Sequence, residues 1–367
     1  MRKVNECLFR VAMRPALLSV AASLAIAGCS TGGARVATAS ATDDAPPQPY
    51  MRVVRSDSGA VQLEIAMREL RPIKRSGPAI WLVAVSHVGE TNYFATVQSH
   101  LDSKALVLFE GVGERHARAS AESSAASHFS NNKLMKGDAD STQSSLQATL
   151  ARSLGLAFQL DAIDYDRPHF RNSDLTVSQI QALLNEDLPS AQPRDDSPAA
   201  DSDDELSQLV GLMDGSSMLG IIVHMGVKLI GSSPKLQALT KVAVIEMFGN
   251  LEGDISQAAG LPPGMKNLID VLIQGRNQVV LRDLKAELPK LRQRDSTAVF
   301  YGAGHMHDLE SRIRHELNYR PANQLWLTAI SVDPGQAGIT AAEVRMIQTM
   351  VKWQLDALQP KKPAAAN

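Results

Sequence analysis

Three short apolar runs in this sequence each stop on a residue that carries chemistry. Ala79–Glu90, AIWLVAVSHVGE, runs into His87; Thr297–Glu316, TAVFYGAGHMHDLESRIRHE, runs into His305; between them Ala105–Gly113, ALVLFEGVG, runs into Glu110. Unbroken apolar stretches of this length, rich in β-branched residues, are the pattern of strands covered on both faces, as in a parallel sheet. In open α/β sheets, ligand and catalytic groups gather at the carboxyl ends of such strands. The strand that ends in histidine occurs once in each half of the chain, which points to two related βα halves. Two imidazoles and a carboxylate delivered to one sheet edge make a metal or acid/base site the leading expectation.

The ends of the chain narrow its location. Arg2, Lys3, Arg10 and Arg14 precede an apolar run from Ala16 to Ala27, then Gly28 and Cys29, the layout of a secretory signal over residues 1–28. Ile26-Ala27-Gly28-Cys29 resembles a bacterial lipobox, with Cys29 as the lipidated residue, and Ser30 resembles the sorting pattern for the outer membrane. The expected location is therefore the cell envelope, lipid-anchored and facing the periplasm. Cys7 leaves with the signal and Cys29 takes the lipid, so disulfide and thiolate chemistry are excluded. The remaining chain has 33 basic against 38 acidic residues, which does not invite nucleic acid. Residues 29–50, small and polar, read as a flexible tether.

The domain proper is expected over 51–340, with a C-terminal helix and tail over 341–367. Val61, Leu63 and Ile65 alternate with polar residues as in a half-exposed strand. Residues 114–145 are polar and serine-rich, a candidate cover for the site. Leu146–Leu156 reads as a helix leading into a strand over Ala157–Asp164, and the acidic stretch 190–205 reads as a disordered loop between the halves. Met218–Ile230 is too short to span a bilayer and reads as a buried helix or, failing that, one touching a membrane. Leu268–Leu288 has helical spacing with Arg276 on or beside its inward stripe, and Asp308 reads as the N-cap of a helix over Leu309–Leu317. A strand over Leu325–Val332 and a helix over Ala341–Leu358 complete the pattern.

Each histidine taken alone has an ordinary reading, an imidazole satisfied by a backbone carbonyl. Glu110 is harder to place that way. A carboxylate at the end of a five-residue apolar run is partly desolvated, at a cost of several kcal/mol unless a cation or hydrogen-bond donors compensate. Arg276 is the simple compensator; a metal ion shared with His87 and His305 is the functional one. His307 forms a His-x-His pair with His305 that suits metal ligation or a turn before the helix, and Tyr301 and Asn277 are candidate donors behind the ligands. His169 is a candidate to approach the site if its loop folds over, whereas His100, His116, His128 and His315 lie in polar surroundings and read as surface residues.

Taken together, the histidine-ending strand, the strand ending in Glu-Gly-Val, Arg276-Asn277 on a helix and Gly302-Ala303-Gly304-His305 resemble the TraB/GumN/PrgY family, which is similar to the Tiki metalloproteases and grouped with erythromycin esterase and the ChaN haem-binding lipoproteins. That family has two Gly-x-x-His motifs. The second is intact here, and the first carries Ala84 where glycine is expected. The resemblance implies an α+β fold of two βα halves, a mixed and mainly parallel sheet with helices packed around it. It also implies a divalent centre at His87, Glu110 and His305. The expected function is a metal-dependent, peptidase-like hydrolase using manganese, cobalt or zinc on a peptide or small molecule, with Glu110 as ligand or general base and Arg276 holding charge that develops on oxygen. A lipoprotein binding haem or a peptide in the same cleft, without turnover, is the alternative. A third reading is a structural protein whose polar cluster is a buried network.

Overall fold

The computed structural model, which describes residues 35–38, 45–57, 59–73, 76–111, 146–176, 179–180, 183, 230–251 and 271–358, is built around one mixed sheet. Its strands are β1 (Arg35–Thr38), β2 (Met51–Arg55), β3 (Val61–Pro72), β4 (Ala79–Val85), β6 (Leu106–Phe109), β8 (Phe170–Asn172), β9 (Ser296–Gly302) and β10 (Tyr319–Val332). Two further short strands, β5 (Val88–Gly89) and β7 (Ala157–Phe158), pair with each other as a separate ribbon. The order across the main sheet is β1-β10-β3-β4-β9-β6-β8, with β2 also on β3. Among the described residues six of these eight strands run in one direction; β1 and β3 oppose them. The sheet is thus mixed with mostly parallel strands, and helices pack around it.

β4, β9, β6 and β8 lie side by side, all parallel, and the apolar runs of β4, β6 and β9 are buried almost throughout. A parallel sheet covered on both faces demands side chains of this kind at every position. The two halves of the chain do not form separate sheets. β9, from the second half, inserts between β4 and β6 of the first, so His305 is delivered between His87 and Glu110.

Helix α1 (Thr91–Asp102) connects β4 to β6 and buries Tyr93, Phe94, Val97 and Leu101, spaced as one helical face. The next helices are α2 (Leu146–Ser153) and the single-turn α3 (Gln159–Ala162), then α4 (Pro234–Gly249), which starts with Ser233 accepting from Leu236 N–H and Pro234 at its first position. They are followed by α5 (Arg276–Glu287), α6 (Met306–Leu317) and α7 (Ala341–Leu358). Asn318 ends α6 in the left-handed conformation, at φ 58°.

Several expectations need correction. Only Ala157–Phe158 of the predicted 157–164 strand is extended; Gln159–Ala162 form α3 instead. The helix after His305 starts at Met306, and Asp308 lies inside its first turn rather than capping it. The last strand begins at Tyr319, six residues early, because its polar first half is covered by β1 and β3. Residues 114–145, 190–205 and nearly all of 218–230 lie outside the described residues.

The span read as a free tether is held at two places. Arg35–Thr38 pair antiparallel with Asn323–Trp326. Residues 45–50 are clasped by buried charges. Arg68 donates to the carbonyls of Gln48 and Pro49, each at 3.2 Å, and to Glu310, while Arg314 donates to the carbonyl of Ala45 at 2.7 Å. Tyr50, itself buried, donates its hydroxyl to Glu310 at 2.7 Å and lays its ring 4.1 Å from the Arg68 guanidinium. Polar backbone at 45–50 finds partners here, which a small, polar composition does not reveal.

Candidate functional site

The registers of β4 with β9 (Val85 beside Gly302) and of β6 with β9 (Phe109 beside Phe300) bring three strand ends to one level. His87, Glu110 and His305 follow those ends and converge there.

Glu110 is buried at the centre. Its Oε2 accepts the Gly302 N–H at 2.8 Å; its Oε1 lies 2.8 Å from Arg276 Nη2 and 3.7 Å from His305 Nε2. Burial alone would push its pKa up, but Arg276, then His305, His87 and the Gly302 N–H, outweigh it and hold the carboxyl well below the usual range. Arg276 opens α5 directly after a π-helical turn, Val271–Gly275, a local widening that recurs at functional positions. It grips Asp174 through Nε at 2.8 Å and Nη2 at 2.5 Å while reaching Glu110, so the two carboxylates share one guanidinium.

His305 is buried, and its Nδ1 lies 2.8 Å from Asn277 Oδ1. The Asn277 amide is oriented unambiguously: its Nδ2 donates to the His305 carbonyl at 3.2 Å and to Asp308 Oδ2 at 2.9 Å, both acceptors only. Oδ1 therefore faces a proton on His305 Nδ1. Burial lowers the His305 pKa to about 4, with Glu110 pulling the other way. At neutral pH the ring is thus uncharged and Nε2 presents a lone pair. Tyr301 packs edge-on against this ring at 5.2 Å and donates its hydroxyl to the Ser173 carbonyl.

His87, half-buried, is fixed from another side. Its Nδ1 is 2.6 Å from Gln159 Oε1, its carbonyl accepts the Gln159 N–H at 2.7 Å, and Gln159 Nε2 donates to the Tyr165 hydroxyl at 2.7 Å. Gly302 sits at the focus. A Cβ built there would stand 3.3 Å from Glu110 Oε2 and 3.6 Å from His87 Nε2, so the missing side chain leaves a gap that these groups surround.

Sequence reasoning thus placed His87, Glu110, His305, Arg276, Asn277 and Tyr301 in residues that the fold brings together. It missed Asp174, Gln159 and Tyr165, which stand on short segments without a periodic pattern. The one available signal was their clustering in AFQLDAIDYDRPHFRNSDL, residues 157–175. His307 turns away, into a cavity of about 40 Å³ shared with Pro47, Pro49, Tyr50, Ala303 and Gly304. His169 lies before β8, at the amino end of the parallel strands, and its Nε2 is 3.3 Å from the Leu101 carbonyl, so it does not approach the site. His100 is half-buried rather than fully exposed: its ring packs edge-on against Trp81 at 4.5 Å, with Nε2 buried and lacking a partner among the described residues. His315 caps its own helix on the Ser311 carbonyl, and His116 and His128 lie outside the described residues.

These shifts set a pH dependence. With a pKa near 6.5 unfolded and about 4 folded, His305 binds fewer protons in the native state between those values. Stability is then lost as the pH falls from about 6.5 to about 4, by up to about 3 kcal/mol from this residue. His100, lowered to about 4 by burial and then Lys104, acts in the same direction. Urea titrations at pH 7 and pH 4.5 should show the decline, and His305→Gln should flatten it.

Among the described residues no group of three or more His, Cys, Asp or Glu side chains is gathered as a ready-made metal shell. In the His87, Glu110 and His305 set the carboxylate is turned onto Arg276 and the Gly302 N–H. None of the described helices is long and apolar enough to cross a membrane. No family model, curated protein or solved structure matches this chain.

Proposed function

We propose that this protein is an envelope-anchored hydrolase, similar to the TraB/GumN group, whose centre takes a divalent ion at His87, Glu110 and His305 and acts on a peptide or related carbonyl compound. The observation that carries this reading is the pair His305 Nε2 and Glu110 Oε1. Both are electron-rich at neutral pH, they stand 3.7 Å apart in a buried site, and the tautomer enforced by Asn277 puts no proton between them. Two bare acceptors facing each other in a low dielectric are unfavourable unless positive charge stands close to both. Arg276 supplies part of it. The spacing also suits two ligands of one ion, whose bonds of about 2.0–2.2 Å place them about 3–4 Å apart. A carboxylate has about four lone-pair sites, so Glu110 has capacity left after Arg276 and Gly302.

A bound manganese, cobalt or zinc ion would supply Lewis-acid activation of a carbonyl and of water. The residues divide the remaining work. Glu110, held ionised far below neutral pH, is a poor general base and serves as ligand and fixed charge. Arg276 keeps that carboxylate in place and balances Asp174, which leaves its Nε and Nη2 donors occupied. His87, the most open of the three, faces the gap over Gly302 where a substrate carbonyl would lie.

Metal content by mass spectrometry, on wild type beside His305→Ala, tests the reading. Close to one equivalent of transition metal in wild type, lost in the variant, is the expected result, together with peptidase activity stimulated by manganese or cobalt. If neither protein holds or takes up metal, the hydrolase reading fails. A Soret band on haem addition would then favour the binding lipoprotein.

A further inference from the structure

We infer that Gln159 and Tyr165 form a polar relay that positions His87, fixing its proton on Nδ1 so that the Nε2 lone pair is directed at the gap above Gly302. The inference rests on the reading of the site given above and adds the residues that make His87 usable in it. Both were unremarked in the sequence.

The local fold is arranged to bring Gln159 against His87. β5 begins at the residue after His87 and β7 ends at the residue before Gln159; the two pair antiparallel, Val88 with Phe158 and Gly89 with Ala157. Position 89 has no room for a side chain, since a Cβ would lie 2.7 Å from the Phe94 ring and 2.8 Å from that of Tyr93. The ribbon sets the Gln159 N–H on the His87 carbonyl at 2.7 Å and its Oε1 on His87 Nδ1 at 2.6 Å. One residue thus holds both the backbone and the ring of His87, and Gln159 is only 1% exposed.

The direction of the relay follows from the two bonds of the Gln159 amide. A tyrosine hydroxyl donates or accepts, so the Gln159–Tyr165 bond does not by itself say which end of the amide faces His87. The structure places the Gln159 amide nitrogen on the Tyr165 hydroxyl and its oxygen on His87 Nδ1. The Tyr165 oxygen accepts from Gln159 Nε2 at 2.7 Å. Gln159 Oε1 is then committed to a proton on His87 Nδ1. The two imidazoles are thus held alike, each with Nδ1 on an amide oxygen, His305 through Asn277 and His87 through Gln159. Orienting partners of this kind behind a ligating histidine fix its tautomer and ring plane.

The test is ring ¹⁵N NMR of the full chain, metal-free at neutral pH, with ¹⁵N-labelled histidine and the His87 resonances identified by their loss in His87→Ala. Wild type should give a protonated, pyrrole-type Nδ1 and an unprotonated, pyridine-type Nε2 for His87. Gln159→Leu should average the two toward a tautomer mixture, Tyr165→Phe should do so in part, and Gln159→Glu should restore the wild-type pattern, since its carboxylate also accepts from Nδ1. His305 signals should not move in any of them, which separates loss of the relay from loss of the fold. A pyridine-type Nδ1 in wild type overturns the inference, as does a Gln159→Leu spectrum with His87 unchanged. Because no metal is present, absence of metal uptake would defeat the hydrolase reading and leave this result standing.

Discussion

Arg68→Ala is expected to destabilise the protein by about 3–5 kcal/mol, read as a lower urea midpoint. Arg68 and Glu310 are each 1% exposed, and their ion pair joins the third strand to the helix that begins just after His305. Removing the guanidinium strands a buried carboxylate. Tyr50 still donates to it, but Arg314 stands at 3.7 Å, too far for a good hydrogen bond. The same change leaves the carbonyls of Gln48 and Pro49 and the side-chain oxygen of Gln324 without the Arg68 donors. An exposed pair such as Lys352 with Asp356 gives the contrast: its removal should cost well under 1 kcal/mol. Replacing both partners together, Arg68→Met with Glu310→Leu, should recover much of the loss, because a buried pair and an apolar pair of similar volume are close in free energy. A cost below 1 kcal/mol for Arg68→Ala would mean that residues 45–50 are not held as the structure has them.

How far the site can be read from sequence depends on which kind of order made it. His87, Glu110 and His305 each end an apolar run, and burial in a parallel sheet writes that run directly into residue type. Their convergence is different. It arises because β9 inserts between β4 and β6, and strand order leaves no mark on local composition. Arg276 showed as a charged residue on or beside an inward helical stripe, and Asn277 only as a candidate donor next to it. Gln159 opens a four-residue helical turn and Tyr165 and Asp174 lie in irregular chain, where conformation is set by contacts distant in the sequence. The expected strand over 157–164 failed for that reason: AFQLDAID alternates well enough for a strand, yet the bonds of Gln159 to His87 and Tyr165 turn it into a helical turn. The tether failed likewise, since nothing in a small polar segment announces that Arg68 and Arg314 will bind its carbonyls.

Gly302→Ala should abolish metal uptake or reduce it at least tenfold, with a stability change within about 1 kcal/mol, whereas Ala84→Gly should leave uptake intact and cost about 1 kcal/mol. The two positions stand three residues before His87 and His305, where the resemblance to the TraB/GumN/PrgY family expects glycine, and the sheet sets them on opposite faces. A methyl on Gly302 would stand 3.3 Å from Glu110 Oε2 and 3.6 Å from His87 Nε2, inside the gap that these two side chains border. Ala84 pairs across the sheet with Tyr301, not with Gly302. Side chains alternate along a strand, and neighbours in register share a face. The Ala84 methyl therefore lies on the Tyr301 side, opposite to the direction a Cβ on Gly302 would take, and does not narrow the gap. It is 1% exposed, so deleting it removes buried apolar surface and loosens the backbone, a loss of stability alone. Metal binding by calorimetry, alongside urea midpoints for both variants, separates the outcomes. Unaltered affinity in Gly302→Ala would show that no ion occupies the space between His87 and Glu110, and an equal loss in Ala84→Gly would show that the two glycine positions are not distinguished as the register implies.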